Sequence, residues 1–462
     1  MAYPKILKSY NPTFLQSSPA NIQAIFAVYI PMSKRIALIW FTTDLRLRDN
    51  ELLHAALQRH DAIIPVYCLD REEMQKEQFG FKRTGARRLK FLLESLTDLQ
   101  QSLRALNAEL QVVSGKAEEV IPRLALEYGV TEVFAKKEVG AYELAAQSSV
   151  SMLLSKIGVE WTVLSTSTLF HPHDLPFGVR DIPEVFTEFR KRAERDADVR
   201  KEFASPVQIP TPDLPPTSIP TLASLNIEEP RTDERGVLHF RGGEEEALKR
   251  ATHYLLDSGC LSSYKETRNG LIGQDYSSKF SPWLALGCIS PRTVYFMIKE
   301  YEALRGANDS TYWLIFELIW RDYFRFAMKK HKAKFFLKGG IQARAPKTHE
   351  DAKALDRWIN GKTGVDFVDA NMNELRLTGF MSNRGRQNVA SYLCNDLQLD
   401  WRYGAAYFEQ ELIDYDVASN WGNWAYLAGV GNDPRGNRYF DIPKQARQYD
   451  SDGEYRRLWR SE

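Results

Sequence analysis

Residues 412–435 read LIDYDVASNWGNWAYLAGVGNDPR and hold Asp414 and Asp416 one residue apart, then Asn420, Trp424 and Tyr426. Ser419 is the only serine in the run, and neither cysteine nor histidine occurs. Carboxylates, carboxamides and indoles without a nucleophile suit the holding of a bound group better than attack on a substrate. A carboxylate such as Asp414 beside a helical core needs a partner, and Arg386 is the candidate. The Asn420 amide offers both a donor and an acceptor to a heteroaromatic edge. Trp401 and Trp424 share this aromatic region, although indoles packed edge to edge are also ordinary core filling.

Three further stretches carry chemistry. In YSSKFSPWLALG (276–287), Ser277, Ser278 and Ser281 offer hydroxyls, Lys279 a charge, and Pro282 the first turn of a helix. Free N–H groups there suit a pyrophosphate; a plain capped helix is the simpler reading. In FELIWRDYF (316–324), Glu317 and Arg321 lie four apart beside Trp320. That spacing gives a surface ion pair, or, among Leu, Ile and Phe, a charge turned toward a cavity. In TGFMSNRGRQNVASYL (378–393), Asn383, Arg384 and Arg386 cluster at a helix N-terminus capped by Ser382 or Asn383. Arginines there oppose the helix dipole and call for a counter-anion; a solvated basic turn is the alternative.

The elements that must position these residues fall into two halves. RIALIWF, AIIPVYC, AELQVVS, VTEVFA and VEWTVL read as short buried strands separated by amphipathic helices. The alternation predicts a doubly wound parallel sheet over 32–165. No G-x-G-x-x-G follows the first strand, so the dinucleotide fingerprint is absent there. Residues 166–236, with six prolines in 205–220, read as an extended connector. From 237 to 450 the pattern is helical, with TYWLIFELIWRDYFRFAMKKH as a core helix. Eight of the ten tryptophans lie at or after Trp283, so the aromatic load sits in this half. Residues 451–462 read as a short tail. Residues 1–31 read as a peripheral extension, because the apolar NIQAIFAVYI is too short to span a bilayer and Met32 directly precedes the first strand.

The 462 residues suffice for two or three domains. A net charge of +1 leaves room for a local basic face and a nucleic-acid partner. Cys68, Cys260, Cys288 and Cys394 have no C-x-x-C spacing and the histidines are dispersed. That favours a reducing compartment, with the cytoplasm as the expected location, and argues against disulfide or zinc scaffolds. No metal site and no membrane span are expected, and a monomer is.

In this order the four motifs closely resemble the photolyase/cryptochrome family over roughly residues 35–450. TGFMSNRGRQNVASYL, YDVASNWGNW, GVGNDPR and IPKQARQYD are similar to its cryptochrome DASH branch. The resemblance implies an α/β antenna domain and an all-helical domain that holds FAD in a U-shape, with 5,10-methenyltetrahydrofolate as the expected antenna. Tyr264 and Ser277, Ser278, Lys279, Phe280 and Ser281 then match the loop around the FAD ribose and phosphates. Asp414, paired to Arg386, and Asp416 match carboxylates at the flavin and ribityl edges, and Arg321 joins the cofactor contacts. Asn420 matches the residue facing flavin N5, a neutral amide favouring the anionic reduced form. Trp424 matches the tryptophan nearest the flavin and Trp401 the next in an electron relay. Glu317, Trp320 and Asn383 match a lesion pocket, and Arg384 and Gln387 contacts to DNA. Glu138, in AKKEVGAYE, is the candidate folate contact.

Three departures follow from the same resemblance. The family's outermost relay tryptophan falls near Thr348, where no aromatic stands, leaving Trp358 or a tyrosine to substitute. The second aromatic of the lesion pocket is Tyr426 in place of tryptophan, as in the DASH branch. Paired histidines after Asn383 are missing, against (6-4) lesion specificity. The implied activity is light-driven electron transfer to cyclobutane pyrimidine dimers, mainly in single-stranded DNA. A signalling blue-light photoreceptor without repair is the alternative, and a light-independent flavin electron carrier a third.

Overall fold

A computed structural model describes residues 34–460 apart from Pro434 and Asn437, so the expected extension over 1–31 lies outside the described residues. Five parallel strands form one sheet in the order Gln111–Ser114, Ala62–Leu69, Ile36–Phe41, Val130–Lys136, Glu160–Leu164. The β-branched runs become strands because both faces are covered: Ile63, Ile64 and Val66 are wholly buried, as are Val133 and Phe134. Strand order reverses between Ile36–Phe41 and Val130–Lys136, which meet side by side. That switch point is where open α/β sheets present a crevice beyond the strand ends, and Thr42 and Glu138 stand there.

From Glu244 onward the described chain forms helices and turns without strands. The longest helix, Asp309–His331, is capped at Asn308, whose side chain accepts from the N–H groups of Ser310 and Thr311, and it ends on Lys329, Lys330 and His331. Both ends thus obey the dipole. Its residues are apolar on several sides because it lies in the core: Leu314, Leu318, Ile319 and Met328 are buried.

The described residues from 35 onward make one compact unit. A single buried cluster joins Ala37, Ile39 and Phe41 of the sheet to Trp283, Leu318 and Phe326 of the helices. Gly287, in the left-handed region at φ 67°, lets the backbone of Thr43 and Asp44 approach, where a Cβ would overlap it. Beside it, Asp49 accepts from Arg292 at 2.6 and 2.9 Å and from the Ser290 hydroxyl at 2.6 Å.

The connector contains more order than its prolines suggest. It holds the helix Phe186–Asp196, and its extended part is pinned to the sheet where Ile63 N–H donates to Pro210 O at 2.8 Å. The residues after 450, expected as a tail, fold back as the helix Glu454–Leu458. Tyr455 and Trp459 are only 1% exposed, since burying two aromatics outweighs ordering one helical turn.

Candidate active site

Two cavities gather the residues of these motifs. The larger, about 490 Å³, is lined by Tyr264, Ser277, Ser278, Lys279, Phe280, Ser281, Glu317, Trp320 and Arg321. Asn383, Arg386, Gln387, Asp414, Asp416, Asn420, Trp424 and Tyr426 complete its wall. Residues expected to act together from four separated motifs therefore face one space. Trp401 and Arg384 stand outside it, and Glu138 lines the smaller cavity, of about 210 Å³.

The serine loop is shaped by a residue no motif marked. Arg250 donates to the carbonyl oxygens of Gln274, Ser277 and Ser278 at 2.9, 3.1 and 3.0 Å and pairs with Asp275 at 2.7 Å. Lys279 adopts φ 55°, and its ammonium donates to Gln274 O at 2.8 Å above the Tyr276 ring. Burial, with Arg250 adding repulsion, pushes Lys279 down to about 7. An anion in this loop would return the charge.

Glu317 and Arg321 do not pair, although four residues apart. Glu317 meets Arg268, while Arg321 donates to Ser167 O and to Leu284 O at 3.0 Å. Each charge found a partner from another element because the helix is sunk in the core. Burial raises the Glu317 carboxyl, with Arg268 opposing.

Ser382 caps the helix Asn383–Ser391 by accepting from Gly385 N–H at 2.9 Å. That turn aims Arg386 at Asp414, 2.7 Å away. Arg384 instead lies over the Tyr449 ring at 4.5 Å and donates to Asn269 and Gln387, both at 2.9 Å. Asp416 accepts from Ser419 N–H at 2.8 Å and so caps the helix Val417–Leu427. Burial alone would raise Asp416, but Arg321 and Arg325 hold it below the usual range. Asn420 donates to Ala405 O at 2.9 Å, so one of its donors is already used, and its amide oxygen is the acceptor left to the cavity.

Trp424 packs over Gly404, where a Cβ would overlap the indole. Its ring partners are Phe408 at 5.1 Å and Trp358 at 6.2 Å. Trp401, one turn before Gly404, meets Trp421 at 5.8 Å and donates to Lys338 O at 3.1 Å. Trp320 stands edge-on to Tyr426 at 6.1 Å.

The smaller cavity opens at the sheet's switch point. Glu138 accepts from Thr42 Oγ1 at 2.9 Å and pairs with Lys136 at 2.9 Å and Arg325 at 3.2 Å. Burial would raise Glu138, but Lys136 and Arg325 hold it below the usual range. Arg325 also reaches Asp416 at 3.8 Å, and Ala285, Tyr415 and Asp416 line both cavities. Arg325 and Tyr415 carried no signal in the sequence, being one arginine and one tyrosine among many until folding sets Tyr415 between two spaces and Arg325 against the smaller.

Fold and paired cavities define a photolyase-type architecture: a parallel α/β half with its crevice, and a helical half with a large polar and aromatic cavity. Comparison with known proteins bears this out. Residues 37–213 match the DNA photolyase family and residues 313–462 the FAD binding domain of DNA photolyase. A cryptochrome DASH from Gloeobacter violaceus is 49% identical over 93% of this chain and 86% of that protein. The crystal structure of a Synechocystis sp. PCC6803 cryptochrome superposes with a TM-score of 0.89 at 48% identity, covering 92% of this chain and 88% of that one. A bacterial class III photolyase from Agrobacterium tumefaciens gives 0.79 at 27% identity, covering 94% and 88%. The chain belongs to the photolyase/cryptochrome family, in its cryptochrome DASH branch.

The family's cofactors are FAD and a second, light-harvesting chromophore, and the cavities fit both. In the larger, Asp414 Oδ1 and the Tyr276 hydroxyl are buried without a hydrogen-bond partner, a cost unless a ligand meets them. In the smaller, Glu143 Oε2 and the Tyr415 hydroxyl are left likewise. Among the described residues no helix is long and apolar enough to cross a membrane.

Proposed function

We propose that this chain is a light-driven lyase that splits cyclobutane pyrimidine dimers, mainly in single-stranded DNA. The observation that carries the reading is a shared space: Glu317, Trp320, Gln387 and Tyr426 line the same cavity as Arg386, Asp414, Asp416 and Asn420. A lesion held by the first set is a neighbour of a flavin held by the second. FAD held there would supply, when reduced and excited by blue light, the electron that splits the cyclobutane ring and that the ring's opening would return.

The protein's part is binding, orientation and charge. Ser277–Ser281, Tyr264 and Lys279 would hold the phosphates and ribose, and Arg386, Asp414, Asp416, Arg321 and Asn420 the flavin and ribityl edges. Asn420 is neutral, so it brings neither charge nor an acidic proton. Glu317, whose carboxyl is raised by burial and partnered by Arg268, would hydrogen-bond a pyrimidine edge. Trp320 and Tyr426 offer stacking faces, with Asn383 and Gln387 beside them, and Arg384 at the rim suits a phosphate. Trp424 and Trp401 begin a relay that restores reduced flavin. Photolyases extrude their target base at a cost of roughly a few kcal/mol. A tyrosine in place of a second indole returns less of that cost, and an unstacked single strand avoids it.

In the smaller cavity we assign 5,10-methenyltetrahydrofolate, with Glu138 as its buried acceptor. We read the protein as a cytoplasmic monomer. Purified, reduced protein mixed with dimer-containing oligonucleotides should remove dimers under blue light, faster in single strands than in duplex. Absence of light-dependent loss in both forms defeats the reading and favours a signalling role.

A further inference from the structure

The connector does more than join two halves. Phe186, only 5% exposed, lays its ring on Trp320 with centroids 3.5 Å apart and planes 11° apart. Phe316 and Tyr323 meet the same ring edge-on at 5.2 and 5.6 Å. Trp320 lines the larger cavity, whereas Phe186 does not. The stack therefore backs the indole from behind.

Two residues earlier, Glu184 ties the helix that carries Trp320 to the segment following Tyr426. Its carboxylate pairs with Lys330 at 2.6 Å and His331 at 3.0 Å, and accepts from Asn432 Nδ2 at 3.1 Å. Its carbonyl accepts from the Tyr323 hydroxyl and from Asn432 Nδ2 at 3.2 Å. Asn432 leads directly into Asp433, which pairs with Arg435 at 3.2 Å and Arg438 at 2.6 Å. Those arginines hold Tyr426: Arg435 donates to its hydroxyl at 3.3 Å, and Arg438 lies over its ring at 4.8 Å. One short segment thus touches the supports of both aromatic walls.

We propose that Glu184 and Phe186 are positioning residues that set the gap between Trp320 and Tyr426, and through it the affinity for an extruded pyrimidine dimer. The inference rests on the lyase reading above and adds residues that touch neither substrate nor flavin. A stacking slot discriminates only while its walls keep their spacing and tilt, which requires supports locked by their own packing. Phe186 supplies a flat backing, and the Glu184 contacts stop the Tyr426 loop from drifting away.

The test uses flavin-loaded protein and compares binding of a dimer-containing single strand with that of the same strand undamaged. Phe186→Leu and Glu184→Gln should weaken dimer binding by about tenfold and leave undamaged-strand binding, flavin absorbance and flavin photoreduction unchanged. Phe186→Tyr, which keeps a flat ring, should restore dimer binding. Unchanged dimer binding in both variants overturns the proposal. So does equal loss for both strands with loss of flavin, since the segment would then only hold the fold. Wild-type protein that fails to distinguish the two strands sinks the lyase reading itself, and the proposal with it.

Discussion

Trp358 meets the edge of Trp424 with ring centroids 6.2 Å apart and planes at 75°. Trp358 is wholly buried and continues to Tyr407 at 5.9 Å, which meets Phe81 at 5.4 Å. Trp358, one of the residues proposed to substitute for the outer relay tryptophan, thus touches Trp424 itself. The proposed relay can leave Trp424 through Trp358, which it touches, or toward Trp401, whose ring partner is Trp421. Trp424→Phe should slow flavin photoreduction more than about tenfold. Trp401→Phe and Trp358→Phe should each slow it less, and the double variant should match Trp424→Phe. A Trp401→Phe rate equal to that of Trp424→Phe removes Trp358 from the path.

The seat of Trp424 depends on a missing side chain. Because a Cβ at position 404 overlaps the indole, Gly404→Ala should cost about 1–3 kcal/mol through overpacking. Denaturant unfolding measures the loss. Slower photoreduction in the folded variant would show that the indole has moved.

The joint between sheet and helices is the most sensitive place for a charge change. Asp49 and Arg292 are 0% and 5% exposed and bonded twice. Asp49→Asn leaves a buried guanidinium without its counter-charge and should cost about 3–5 kcal/mol. A midpoint shift in urea with unchanged slope is the expected signature.

Glu374 carries a pH dependence. Its carboxyl is wholly buried and accepts from Tyr455 Oη at 2.6 Å. Burial pushes it up to about 8, with Tyr455, Lys279 and Arg386 opposing. The folded state keeps a proton that the unfolded chain releases above the ordinary carboxylate range, so stability declines as pH rises toward 8 and is level above it. Glu374→Gln should therefore exceed the wild type by on the order of a few kcal/mol at pH 9, and the gap should narrow toward pH 5. An equal gap at both pH values refutes the assignment.

The sheet, the long core helix and a cap at Ser382 or Asn383 were legible because each rests on local chemistry: β-branched runs, an apolar pattern on several sides, a capping side chain at a helix start. The walls of the larger cavity were legible as motifs. What the sequence hid was pairing at a distance. Glu317 and Arg321 allowed a local ion pair or a charge turned toward a cavity; both line the cavity, and each is bound by a residue far away in the chain. Arg250, Arg268 and Arg325 looked like any arginines, and Phe186 lay in a stretch dominated by its prolines. Tyr455 and Trp459 read as a tail because nothing local announces that a short helix will find a slot.

The cluster that joins Ala37 and Phe41 to Leu318 and Phe326 packs the sheet directly against the helices. Excitation passing from one pigment to another depends steeply on how far apart they stand and how they are tilted. Pigments held in the two cavities would have both quantities set by interlocked side chains at the joint, an optical mount aligned at folding.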